Sequence, residues 1–313
     1  MSSVVERIAA DVTVSTQFVE KALALAHVRF RKIRVPKRSG GHRTILQPAT
    51  ELKLIHQWLL VNVLLKLPTS QVATAFCPGA SIVKNAATHK DSLYSVRVDL
   101  TNFFPSIRSG DLRLAVVAAK TKLPFWALDA DVGRLVATAC FDQLDRLPIG
   151  YPTSPCIANA VMYEFDRALL SRIVTTPSRF GHAALTRYAD DFVFSTDKRG
   201  ACREFVDLIR KVVSTTTSPM LEINEGKTRF MSRPGGSVLV TGLRINQSGI
   251  VRVHPSYRDH VRLLLKLFSQ GSLKLEEHQR LRGHLAFVEH ADPGLFTRLS
   301  FRYYDEIARL RGR

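Results

Sequence analysis

Between Leu93 and Leu100 polar and apolar residues alternate. Tyr94, Val96 and Val98 take one side of an extended strand and Ser95, Arg97 and Asp99 the other, so the strand ends on a carboxylate. A second stretch, 185–195, carries Asp190 and Asp191 between β-prone runs, which predicts a hairpin with both acids at its tip. Two more hairpins are predicted where glycine supplies the positive φ of a tight turn: 35–48 around Ser39-Gly40-Gly41, and 239–255 turning at Ser248-Gly249. Elsewhere apolar residues recur at helical spacing. Residues 51–67 form a core-packed helix stopped by Pro68, a short helix begins at Ser81, and 112–140 is helical with a break at Pro124. Ser154 as N-cap and Pro155 at the first helical position open a helix through 174, and 201–215 forms another. Beyond Pro255 only helices follow: 256–270 closed by Gly271, 276–290 and 293–311, with Ser256 and Asp259 spaced as a capping box. The pattern is α+β: an antiparallel sheet with helices, then an all-helical tail.

Hydrophobic residues make up 45% of the 313, enough for a large core and too many for a disordered chain. No apolar run reaches the roughly eighteen residues of a membrane span. The first residues, with Glu6 and Asp11, lack the basic-then-apolar order of an export leader. Cys77, Cys140, Cys156 and Cys202 form no CxxC pair, which suits a reducing cytoplasm, and Cys77 reads as a packed thiol. The ten histidines make no HExxH or Cys/His cluster, which argues against zinc.

Charge changes the picture more. Forty-five Lys and Arg against 27 Asp and Glu leave +18, which points to a polyanionic partner, RNA or DNA before acidic lipid. Arg29, Arg31, Lys32, Arg34, Lys37, Arg38 and Arg43 crowd the first hairpin with no acid among them; they form either a device for gripping phosphates or a solvated charged face. The tail interleaves arginines, Arg252, Arg258 and Arg262 among them, with Phe268, Phe287, Phe296, Phe301, Tyr303 and Tyr304. Those rings suit either helix packing or stacking on RNA bases.

The candidate chemistry lies in Asp99, Asp190 and Asp191. Adjacent carboxylates raise each other's pKa unless a cation neutralises them, and a hard divalent ion with oxygen ligands is the usual partner. If the strand ending in Asp99 pairs beside the hairpin, the acids share a rim and suit two-metal in-line displacement; Asp-Asp alone would equally fit an exposed acidic turn.

Read in order, several segments resemble the palm of reverse transcriptases: Val98-Asp99-Leu100-Thr101-Asn102-Phe103-Phe104, then Gly150-Tyr151-Pro152-Thr153-Ser154-Pro155, then Tyr188-Ala189-Asp190-Asp191, then 221–228 with Lys227. Phe76, Gly79, Ser81, Ile82, Asn85, Ala86 and His89, with Val240-Thr241-Gly242-Leu243, are similar to segments of bacterial retron-type enzymes. The resemblance runs from about Val35 to Asn246. It implies a right-hand polymerase: fingers over 1–93 with a helical insertion at 108–148, palm over 94–107 and 149–240, and an RNA-binding thumb over 241–313. It implies RNA-directed DNA synthesis from deoxynucleoside triphosphates with two Mg²⁺ ions, Mn²⁺ being a substitute, held by Asp99, Leu100, Asp190 and Asp191. Lys37, Arg43, Phe104, Gly150, Ser154 and Lys227 fall at the nucleotide. Phe104 would be a gate against a 2′-OH or plain core packing, and Lys227 a proton donor to pyrophosphate or a plain surface lysine. Arg29, Arg31, Lys32, Arg34, Arg252, Arg258 and Arg262 would hold nucleic acid. For a retron enzyme the resemblance further implies a cognate structured noncoding RNA as template and primer, a branched RNA–DNA product, an associated effector and antiphage defence. Other bacterial reverse transcriptases, of group II intron or diversity-generating type, and a non-catalytic RNA-binding scaffold are the alternatives. One departure stands out: Ile149 occupies a position where relatives have Gln, so a hydrogen bond near nucleotide or template is lost.

Overall fold

The computed structural model describes residues 2–36 and 40–312. Lys37, Arg38 and Ser39 lie outside the described residues, and with them the expected phosphate contact of Lys37. The flanking strands form the predicted basic hairpin, β1 (Phe30–Pro36) pairing antiparallel with β2 (His42–Pro48).

The central sheet has the order β4-β5-β3-β6, all neighbours antiparallel: β3 is Tyr94–Asp99, β4 Ala183–Tyr188, β5 Asp191–Thr196 and β6 Arg229–Ser232. Alternation decides its two faces. Val96, Val98, Phe192 and Phe194 point into the main core, where Phe194 stacks on Phe205 of the helix Ala201–Thr215 at 4.4 Å between ring centroids. Ser95, Arg97 and Asp99 take the opposite face. The main core is shared with the helices Thr50–Asn62, Ala130–Cys140, Ser154–Val161 and Tyr163–Val174.

A second sheet, β7 (Ser237–Val240), β8 (Leu243–Asn246) and β9 (Val251–Val253), packs with the helices Pro255–Ser269, Leu275–Ala291, Pro293–Arg302 and Tyr304–Leu310 around a separate core. The short helix Ile82–Thr88 lies between this unit and the central sheet, with Ala86 and Val193 both buried in the second core. Of the aromatic residues in the tail, Phe268, Phe287, Phe296 and Tyr303 pack against this core, whereas Phe301 and Tyr304 are exposed.

Several expected boundaries shift. The helix predicted to Leu67 ends at Asn62 and continues as a 3₁₀ turn, Leu64–Lys66, where Val63 turns out of helical geometry. The predicted break at Pro124 widens to 119–129. The helix predicted through 174 is divided at Met162, and the last one at Tyr303. Ser154 is not the N-cap: Thr153 holds that position and Ser154 is the first helical residue. His254 rather than Ser256 caps the first tail helix, accepting from Ser256 N, because Asp259 is drawn onto Arg258 and Arg262.

Candidate active site

Pairing of β3 with β5 puts Asp99 directly opposite Asp191, and Asp190 occupies the adjoining turn, where its carbonyl accepts from Leu100 N at 3.0 Å. The turn has a cause. Ala189 is left-handed at φ 57°, and its carbonyl accepts from Arg187 Nη1 at 3.1 Å. Arg187 is fully buried and grips Asp166 through three hydrogen bonds, Nε to Oδ1 at 2.9 Å and to Oδ2 at 3.2 Å and Nη2 to Oδ2 at 2.8 Å. A third group, Asn159, accepts from Arg187 at 3.3 Å and donates to the Ala75 carbonyl at 2.9 Å. The acid-bearing turn is therefore bolted to the helices behind it and to the segment before Phe76. That network is invisible in the sequence, where Asn159 merely follows the Ser154-Pro155 segment and Arg187 and Asp166 look like unrelated polar residues.

Cations already sit against the acids. Asp99, 3% exposed, accepts from Lys227 Nζ at 2.8 and 3.1 Å. Lys227 is held there because its segment pairs with the end of β3: Asn224 N donates to Asp99 O and Thr101 N to Glu222 O, each at 2.8 Å. Arg97 Nε lies 3.1 Å from Asp191 Oδ1, an ion pair whose orientation makes no hydrogen bond, so both buried atoms lack a hydrogen-bonding partner. Burial pushes the Asp191 carboxyl up to about 6, opposed by Arg97 and reinforced by Asp190 and Asp99. Burial also raises Asp190, against the pull of Lys227 and Arg43. Among the described residues no three Asp, Glu, His or Cys side chains stand close enough to form a metal cage as they are. The donor chemistry nevertheless fits a hard divalent ion: three carboxylates at one sheet end, one with a buried oxygen lacking a hydrogen bond, and raised pKa values that a cation would lower.

Around the acids, Phe104 is half-buried, packed against the main core and in ring contact with Phe103 and with Phe76. Phe76 is a residue the motif reading did not assign to the site. It is 52% exposed, left-handed at φ 59°, and its ring lies 6.5 Å from Tyr188. Its signal in the sequence, an aromatic before Cys-Pro-Gly, is weak. Gly150 and Ser154 are tightly packed: a Cβ on Gly150 would fall 2.4 Å from Ile45 and 2.7 Å from the Leu46 carbonyl, and Ser154 is buried with its hydroxyl donating to Pro148 O at 2.6 Å. The close approach at Gly150, with Leu46 N donating to Ile149 O at 2.7 Å, ties the basic hairpin to the segment that leads into the helix Ser154–Val161.

Arg43, Arg31, Lys32 and Arg34 are exposed on that hairpin, and Arg29 pairs with Glu51 at 2.8 Å. Beneath it a cleft of about 530 Å³ is lined by Phe30, Lys32, Arg34, Arg146, Ile149 and Tyr151, among others. In the second unit Arg252 and Arg258 join Arg244 and Arg298 around a cleft of about 500 Å³. Arg262 is exposed one turn beyond. Among the described residues the one acid lining that cleft, Asp292, is taken up by Arg252 at 2.6 Å and by the amide of Leu295.

The family model for reverse transcriptase (RNA-dependent DNA polymerase) matches residues 35–264. The Retron Ec73 reverse transcriptase of Escherichia coli is 38% identical over 88% of this chain and 88% of its own length. The chain belongs to the retron reverse transcriptases. Another member, the Retron Mx162 reverse transcriptase of Myxococcus xanthus, is 32% identical over 83% of this chain and 57% of its own length. Telomerase from Candida albicans, solved with a fragment of telomeric RNA, superposes with a TM-score of 0.52 at 11% identity, covering 90% of this chain and 59% of that one. Apo telomerase from Candida tropicalis gives 0.52 at 12% identity. These likenesses show the right-hand polymerase fold. The enzyme is an RNA-directed DNA polymerase, and no helix among its described residues is long and apolar enough to cross a membrane.

Proposed function

We propose that this retron reverse transcriptase copies part of its own structured noncoding RNA into DNA, primed from an RNA 2′-OH, to give a branched RNA–DNA hybrid (msDNA). On this reading it works in the cytoplasm as the DNA-making component of an antiphage system with an effector protein. The observation that carries it is the register of Asp99 opposite Asp191 with Asp190 in the adjoining turn, in a chain whose retron relatives align over most of its length.

Asp99, Asp190, Asp191 and the Leu100 carbonyl would hold two Mg²⁺ ions, with Mn²⁺ as a substitute. Bound there, such ions supply the Lewis acidity that lowers the primer hydroxyl's pKa and offsets charge on the departing pyrophosphate. The protein's own share is position and charge. Lys227 moves off Asp99 toward the pyrophosphate and donates a proton to it. Lys37 and Arg43 clamp the deoxynucleoside triphosphate from the fingers, Arg43 bidentately. Phe104, braced by Phe103 and Phe76, stands against a 2′-OH. Gly150 and Ser154 shape the pocket from beneath. Arg29, Arg31, Lys32 and Arg34 hold template, and Arg252, Arg258 and Arg262 hold the structured RNA or hybrid. The fingers span 1–93 with the helical insertion at 108–148, the palm 94–107 and 149–240, and the thumb 241–313, with β7 at the palm's end pairing with β8 of the thumb.

Primer extension on poly(rA) tests the chemistry: Asp190→Ala with Asp191→Ala abolishes extension and leaves RNA binding within about twofold of wild type. Sequencing the nucleic acid that co-purifies tests the rest. A branched RNA–DNA hybrid supports retron priming, whereas bulk cellular RNA overturns it.

A further inference from the structure

The segment 81–89 makes none of the carboxylate contacts, yet it touches both halves of the enzyme. Ser81 caps the helix Ile82–Thr88 by accepting from Lys84 N, and the residue that ends the helix, His89, is 1% exposed. Its two ring nitrogens reach different strands of one hairpin. Nδ1 lies 2.7 Å from Ser195 Oγ on β5, and Nε2 lies 2.7 Å from Thr186 Oγ1 on β4. Along β5, Asp191, Val193 and Ser195 share one face, and Thr186 pairs with Val193, so the imidazole lies on the face that bears Asp99 and Asp191.

Burial holds this histidine neutral, its pKa pushed down to about 4. One ring nitrogen therefore donates and the other accepts, and either hydroxyl can supply the complement. The same helix faces the second unit: Ala86 is fully buried in that core beside Val193, and Thr241 Oγ1, on a left-handed residue at φ 45°, donates to the Ile82 carbonyl at 3.3 Å. The ladder bonds of β5 with β4 and β3 set the backbone register, and a ring bonded to one side chain on each strand of the hairpin adds a tie that the ladder does not supply. Ser195 on β5 lies four positions from Asp191, and Thr186 on β4 four positions before Asp190 in the turn.

We propose that His89 is a positioning residue for DNA synthesis: it locks β4 to β5, and with them the turn carrying Asp190 and Asp191, and through its helix ties that turn to the C-terminal unit. Hydrogen bonding, rather than bulk, is the operative property. His89→Leu fills a similar volume without the bridge, and His89→Gln keeps one donor and one acceptor. In single-turnover extension His89→Leu should slow nucleotide addition by about tenfold or more with primer–template Kd within about twofold, and His89→Gln should recover to within about threefold of wild type. Wild-type addition rates in His89→Leu overturn the proposal, and so does a slowing that His89→Gln fails to relieve. Should His89→Leu not fold, Thr186→Val and Ser195→Ala each remove one end of the bridge. Both should slow addition, the double variant no more than the worse single, and normal rates in both again overturn it.

Discussion

Lys227 lies on both carboxylate oxygens of Asp99, at 2.8 and 3.1 Å, so an ammonium stands where the proposed metal ions would meet this carboxylate. The pair is held by backbone pairing between the end of β3 and the segment before Lys227 rather than by burial, since Lys227 itself is exposed. Lys227→Gln should therefore have two effects of opposite sense. Removing the competing cation lowers the Mg²⁺ concentration for half-maximal extension by a few-fold, and losing the proton donor lowers the maximal rate by about tenfold to a hundredfold. A Mg²⁺ titration of extension rate reads both; an unchanged half-maximal concentration refutes the competition.

Asp191 offers a pH test. Its folded pKa of about 6 lies above the ordinary value of 3.8, so the fold favours the neutral acid. The destabilisation is fully present above pH 6 and is relieved as pH falls through 6 toward 3.8. Without divalent ions, Asp191→Asn should be more stable than wild type at pH 7.5 by about 1–3 kcal/mol, with the difference vanishing near pH 4. Denaturant titrations in EDTA at several pH values check this, and added Mg²⁺ should narrow the gap by stabilising only the wild type.

The Arg187–Asp166 pair is wholly buried. Removing one partner strands a charge, so Arg187→Met or Asp166→Asn should cost about 3–5 kcal/mol in urea unfolding. Arg187→Met with Asp166→Leu should regain a large part of that stability. Extension should nevertheless stay impaired in the double variant, because Ala189 loses the donor that holds the left-handed turn.

If Phe104 is the proposed gate, Phe104→Ala should raise ribonucleotide incorporation relative to deoxynucleotide by about tenfold or more, because the bulk set against a 2′-OH is gone. Competition between dTTP and UTP on poly(rA) measures the ratio. Phe76→Ala, which takes away a brace of Phe104, should shift it in the same direction by less.

The arginine cleft of the second unit predicts a salt effect. Arg244→Gln with Arg298→Gln should weaken RNA binding and flatten the dependence of log Kd on log salt by about one for each lost phosphate contact. Filter binding across a salt series checks it, and an unaltered slope removes these residues from the RNA interface.

The acid-tipped hairpin, the strand ending in Asp99, the basic hairpin and the helical tail were legible in the chain because each is a local matter: side-chain period, turn glycines and capping residues act over a few neighbours. Ordered short segments likewise sufficed for the family. Helix ends were read less well: at Ser154 the helix opens one residue earlier, on Thr153, with no side-chain cap, and at Ser256 the His254 side chain caps instead. What only the folded chain decided is how remote residues meet. Nothing local says that Lys227 lands on Asp99, that Arg97 faces Asp191, that Arg187 finds Asp166 and Asn159, or that His89 spans two strands. Those contacts depend on strand register, and on burial that makes an unpaired polar group too costly to leave without a partner. Chemistry carried by residue type was therefore written in the sequence, whereas the electrostatic state of that chemistry was set by packing.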